Sequence, residues 1–172
     1  MIYIGIDPGL DGAMAVLRSD QRSRVVFIDN LFDTPSTSVV KGRKKRRVYD
    51  TSAMARLFRT YLLNHRREEI IVALEAVHAM PGQGVTSMFS MGRGFGQWEG
   101  IIAAFQLPLE YVTPRVWKNK MVGVGTDKNA SRLKAIDLFP GVADQLARKK
   151  DHGRAEALLI AEYVRRRNGD DP

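Results

Sequence analysis

The opening stretch, Ile2-Tyr3-Ile4-Gly5-Ile6-Asp7-Pro8-Gly9-Leu10-Asp11-Gly12-Ala13, constrains the fold of this chain more than any other. A near-continuous apolar run with β-branched residues reads as a buried strand at the centre of a sheet. Pro8-Gly9 turns the chain, and Ala13 to Leu17 resumes an apolar run, so the two strands form a hairpin. Asp7 closes the first strand. An acid at that place is costly unless a partner or a metal compensates its desolvation. A turn-forming Asp before Pro-Gly explains it equally well in isolation, so the weight falls on whether other acids converge on the same sheet edge. Ile70-Ile71-Val72-Ala73-Leu74-Glu75 repeats the pattern. Two buried strands that each deliver a carboxylate at the C-terminal end are much harder to dismiss than one.

The remaining elements follow in order. Arg24 to Leu31 reads as a third strand and completes an antiparallel meander. Residues 34–48, with the run Lys41-Gly42-Arg43-Lys44-Lys45-Arg46-Arg47, read as an exposed, mobile loop, because so dense a charge run does not pack in a core. Asp50 to Asn64 has helical spacing at Met54, Leu57, Phe58, Tyr61 and Leu62, with Asp50 or Thr51 as N-cap. Residues 77–84 read as a loop. Met88, Phe89, Met91 and Phe95 then lie among Gly92, Gly94 and Gly96, ahead of a helix carrying Trp98, Ile101, Ile102 and Phe105. Core packing is the default for such a stripe, although its glycines permit close approach of a second chain or a nucleic-acid strand. Leu109 to Val112 is a short strand, and Thr113-Pro114 opens a helix bearing Trp117 and Lys118. Residues 122–125 turn, Thr126 or Asp127 caps a helix to Phe139, and Pro140-Gly141 ends it. Asp151 to Arg167 is the last helix, with Glu156 in its first turns, and the tail from Arg165 frays.

The order β-β-β-α-β-α-β-α-α-α over 172 residues is expected to form one domain, 1–172. There are no cysteines, which removes disulfides and thiolate metal sites and suits a reducing, cytoplasmic setting. No apolar run approaches the ~18 residues of a membrane span, and no signal-peptide pattern opens the chain, so no membrane role is expected. A net charge of +8 and a pI near 10 point to a polyanion such as nucleic acid. Arg43, Lys44, Lys45, Arg46 and Arg47 are the candidate phosphate contacts. Acids at two strand ends and at Glu156 suit metal-assisted phosphodiester hydrolysis, in which carboxylates hold two divalent ions roughly 4 Å apart. Oxygen ligands select Mg²⁺ or Mn²⁺.

On these residues the chain resembles the RuvC-type Holliday junction resolvases, in particular their phage-like branch. Ile4-Gly5-Ile6-Asp7-Pro8-Gly9 is similar to the first catalytic motif and Leu74-Glu75 to the second. Thr113-Pro114-Arg115 through Lys118, with residues 122–128, resembles the segment that carries two functional lysines, here Lys118 and Lys128. Gly153-Arg154-Ala155-Glu156-Ala157-Leu158-Leu159-Ile160-Ala161 resembles the closing helix with the last acid. The resemblance covers nearly the whole chain. It implies an RNase H-like α/β fold with a central mixed five-stranded sheet flanked by helices. It also implies a homodimer that nicks four-way DNA junctions symmetrically, in a bacterial or phage-infected cell, without a nucleotide cofactor. The metal ligands would be Asp7, Glu75, Glu156 and a fourth group.

That fourth group departs from the pattern, which sets two acids three residues apart on the last helix. Gly153 stands at that place. Helical geometry puts His152 about 40° from Glu156 and Asp151 about 140° away. The charge of two divalent ions favours Asp151, entering from the helix N-terminus, with His152 beside the attacking water or the metal. Rival readings are an actin-like or sugar-kinase ATPase, a non-catalytic junction-binding protein, and an RNase H-like nuclease acting on other branched DNA.

Overall fold

The computed structural model describes residues 1–20, 25–79, 81–123 and 128–170, with the side chains of Lys41, Lys128 and Asp170 outside that description. Arg24, Met80, Val124, Gly125 and the Thr126 or Asp127 cap therefore lie outside the described residues. Five strands form one mixed sheet in the order β3 (Val25–Asp33), β2 (Ala13–Asp20), β1 (Ile2–Asp7), β6 (Ile70–Glu75), β7 (Leu109–Val112). The β1–β2 and β2–β3 pairs are antiparallel, and β1–β6 and β6–β7 are parallel. The fold class and the central place of β1 are those read from the sequence.

Strand parity assigns the two faces. Ile2, Ile4 and Ile6 of β1 and Ile70, Val72 and Leu74 of β6 enter one core, against Met54 and Phe58 of α1 (Thr51–Leu62) and Trp98 and Ile102 of α2 (Val85–Ala104). Tyr3 and Ala73 face the other core, with α5 (His152–Arg165) and parts of α3 (Pro114–Met121) and α4 (Lys128–Leu138). Gly5 is required on that second face. A Cβ on it would stand 2.1 Å from the Ala157 carbonyl oxygen and 2.5 Å from the Ala161 nitrogen. Only a strand without a side chain there lets α5 lie this close, so α5 is seated directly on the central strand.

Two expectations are corrected. Residues 36–49 are not a mobile loop: β4 (Ser36–Lys41) and β5 (Lys44–Tyr49) form a separate antiparallel hairpin. Gly42 at φ +61° starts the Gly42–Arg43 turn, as in a type II′ hairpin. The charges stay in solvent while Val39, Val40, Val48 and the backbone ladder supply the strand character. The tail does not fray at Arg165. That side chain is 3% exposed and bonds to Glu162 at 2.7 Å, and the chain continues through a π turn, Arg166–Asp170. Elsewhere Asp50 caps α1 by accepting from the Ala53 N–H at 2.9 Å. Residues 85–104 form one helix despite their glycines, with Gly94 closed against the Tyr49 ring.

Candidate active site

Asp7 and Glu75 have the parity of Tyr3 and Ala73, so both leave the sheet on the α5 side. The parallel register pairs Ile6 with Leu74, and both acids stand one step beyond, on neighbouring strands about 4.8 Å apart. Glu156 faces them from the second turn of α5. Burial pushes the Asp7 carboxyl up to about 6. The Glu156 charge adds to this, and the Gly9 N–H, His152 and Lys118 oppose it. Burial also pushes Glu75 up to about 7, reinforced by Asp7 and then Glu156, and opposed by Trp117 and Lys118. Each acid is thus held by a neighbour and strained by the others. The Gly9 N–H donates to Asp7 Oδ1 at 3.0 Å, and the Trp117 indole donates to Glu75 Oε1 at 2.8 Å. Lys118 Nζ lies 2.8 Å from Glu156 Oε1, and the Ser131 hydroxyl donates to the same oxygen at 3.4 Å.

The structure brings Asp7, Glu75, Glu156, Lys118 and His152 to one place. His152 and Asp7 line a hollow of about 400 Å³ with Gly9, Tyr49, Ser90 and Met91. The His152 Nδ1 donates to the Lys149 carbonyl at 3.3 Å, so in the neutral ring Nε2 is the nitrogen that can accept or ligate. Asp151 is not brought in. Its carboxylate accepts from the Arg148 backbone N–H at 2.9 Å and from Nη2 of the Arg148 guanidinium at 2.8 Å, which holds it below the usual carboxylate range. The short 3-10 turn Lys149–Asp151 ahead of α5 aims that side chain back at Arg148. Gly153 is equally constrained, since a Cβ there would stand 2.4 Å from the Asp11 carbonyl oxygen. The turn between β1 and β2 fills the place at which the family pattern has an acid.

Arg43, Lys44, Lys45, Arg46 and Arg47 are all exposed along the hairpin. Arg47 is committed, because its guanidinium donates to the Leu10 carbonyl and to Asp11. The Tyr49 hydroxyl donates to the Pro8 carbonyl at 3.3 Å. The hairpin is therefore fastened to the turn that follows Asp7, and its free cations extend from the site over about 14 Å. Lys128 opens α4, and its side chain is outside the description. The sequence reading missed Tyr49, Ser131 and the role of Trp117. For Trp117 a signal was present: Pro114 fixes the start of α3 just past β7, so the indole falls in the first turn beside the sheet edge.

A hard divalent cation suits this donor chemistry, since the groups are carboxylates whose ionisation burial suppresses. As the side chains stand, no three acids or histidines among the described residues are gathered tightly enough to enclose an ion. Glu75 is turned to Trp117 and Glu156 to Lys118.

Solved structures share this arrangement of elements. Thermus thermophilus RuvC in complex with Holliday junction substrate matches 99% of this chain and 98% of its own, at 17% identity and a TM-score of 0.55. The fowlpox virus Holliday junction resolvase matches 98% and 99%, at 16% identity and a TM-score of 0.53. The chain has a RuvC-type, RNase H-like fold. No protein-family profile matches the sequence. A chloroplastic Holliday junction resolvase of Chlamydomonas reinhardtii is 34% identical over 92 residues, which is 53% of this chain and 10% of that protein. The match thus spans about a tenth of the curated relative's length. No helix among the described residues is long and apolar enough to cross a membrane.

Proposed function

We propose that this RuvC-type chain is a divalent-metal-dependent endodeoxyribonuclease that resolves four-way DNA junctions, with residues 1–172 acting as one nuclease domain. The observation that carries the reading is the convergence of Asp7, Glu75 and Glu156 from two adjacent parallel strands and the helix packed on them. The shared fold with resolvases supports it, as does the partial sequence match to another. Asp7, Glu75 and Glu156 would hold Mg²⁺ or Mn²⁺, two ions per site, with the His152 imidazole beside them. When bound, the metal supplies an activated water and neutralises charge on the leaving oxygen. The chain's own residues do the remainder. Trp117 fixes the orientation of Glu75, the Gly9 N–H that of Asp7, and the hairpin cations draw in the DNA backbone.

The sequence expectation of Asp151 as the fourth ligand is set aside in favour of His152, because Arg148 already satisfies the Asp151 carboxylate. Paired nicks require two sites related by symmetry, so the active form is proposed to be a homodimer. Its compartment is proposed to be the cytoplasm. The test is cleavage of a synthetic four-way junction in Mg²⁺. Asp7→Asn and Glu75→Gln should each lose cleavage by several orders of magnitude and still bind the junction. Wild-type cutting by either variant would overturn the assignment. Equal cutting of flaps, forks and four-way junctions would widen the substrate class.

A further inference from the structure

Lys118 brings an ammonium to the three acids of this site. Its ammonium lies 2.8 Å from Glu156 Oε1 and 5.1 Å from the centroid of the Trp117 ring. Its charge is felt at both Asp7 and Glu75, so three carboxylates share one ammonium. Trp117, the preceding residue, holds Glu75. Neighbouring residues on α3 thus occupy two of the three acids. The Lys118 side chain is 38% exposed and the Glu156 side chain 13%, which puts the ammonium at the mouth of the site with the carboxylate behind it.

We propose that Lys118 is a placeholder for the divalent ion: it occupies Glu156 while metal is absent, is displaced when metal ligates that carboxylate, and on leaving becomes a contact for DNA phosphate. The inference rests on the nuclease reading above. A divalent ion about 2.1 Å from a carboxylate oxygen has twice the charge of the ammonium and a shorter reach, so its attraction is more than twice as strong. An ammonium on a flexible four-carbon stem holds Glu156 as a point charge, without the bidentate fork that would make an Arg hard to release. The consequence is reciprocal coupling. Metal must break the Lys118–Glu156 pair to bind, and phosphate recovers the freed charge, so each ligand tightens the other through this side chain.

Two measurements on Lys118→Met test this. The first is Mn²⁺ binding to the DNA-free chain by calorimetry. The variant should bind about tenfold more tightly, because the competing ammonium is gone. The second is junction affinity in EDTA and in Ca²⁺, with strand integrity checked on the same samples. The loss of affinity caused by the substitution should be about tenfold larger in Ca²⁺ than in EDTA. Unchanged or weaker Mn²⁺ binding, or an equal loss in both buffers, overturns the placeholder and makes Lys118 an ordinary phosphate contact. If the wild-type chain instead binds no Mn²⁺ saturably and cuts no junction, the nuclease reading and this inference fall together. Wild-type cleavage with an unaltered variant in both measurements removes this inference alone.

Discussion

A Cβ built on Gly153 would meet the Asp11 carbonyl oxygen at 2.4 Å and the Gly12 Cα at 2.9 Å, so no acid fits at that position without moving the turn after Asp7. The departure from the family pattern therefore has a steric cause, and His152, one residue earlier, is the side chain left facing Asp7. Single residues also set the pH behaviour. Glu75 titrates near 7 in the folded chain against an ordinary 4.5. Between those values the folded state keeps a proton that the unfolded state has released, so metal-free stability falls as pH rises through this window. Glu75→Gln removes the Glu75 share of that dependence, leaving the share of Asp7, which is itself raised to about 6, and should raise the unfolding free energy at pH 8 by on the order of 3 kcal/mol. Urea titrations at pH 4.5, 6 and 8 measure it. A wild-type stability that rises with pH across the window would contradict the buried, uncompensated description of Glu75.

At the scale of elements, the hairpin is the instructive case. Its charge density alone predicts a loop. Yet Val39 pairs with Arg46 and Val40 with Lys45, around a Gly-X turn that the sequence displays openly. The central strands were legible because a buried parallel pair needs continuous apolar runs, and because one acid at each end breaks them. The Asp50 cap of α1 was legible from local sequence as well. What links the elements was not: the Trp117 bond to Glu75 joins residues 42 positions apart, and the capture of Asp151 depends on a single 3-10 turn. Residue spacing on an ideal helix cannot represent either. The hairpin geometry also alters the expected salt dependence. Arg47 is bound to Asp11, which leaves Arg43, Lys44, Lys45 and Arg46 to meet phosphate. Replacing those four with neutral residues should lower the slope of log affinity against log salt by up to ~3.6 on duplex DNA. An unchanged slope from a filter-binding series would make the hairpin a solvated ornament.

For the whole molecule, α2 is the element that the core does not fully use. Its second half is buried through Trp98, Ile101 and Ile102, whereas Val85 is 78% and Phe89 72% exposed, with Met88 and Met91 half-buried. The core reading of the Met and aromatic stripe therefore holds for one half only. The other half is the surface on which a two-fold partner would close. Val85→Glu with Phe89→Glu should shift sedimentation at micromolar concentration from dimer to monomer and leave the helical circular dichroism unchanged. A wild-type chain that sediments as a monomer with and without junction would exclude the dimer.

The seating of Ala157 and Ala161 on Gly5 joins parts of the chain about 150 residues apart in sequence. A closure of that span forms late in folding, because its loop entropy is met only after the intervening elements have compacted. On the ribosome it has to wait until α5 has emerged. Asp7 and Glu75 are thus made well ahead of Glu156, and a chain synthesised only as far as α4 carries two of the three acids. The same tight seat that brings the three acids together leaves them apart until α5 docks.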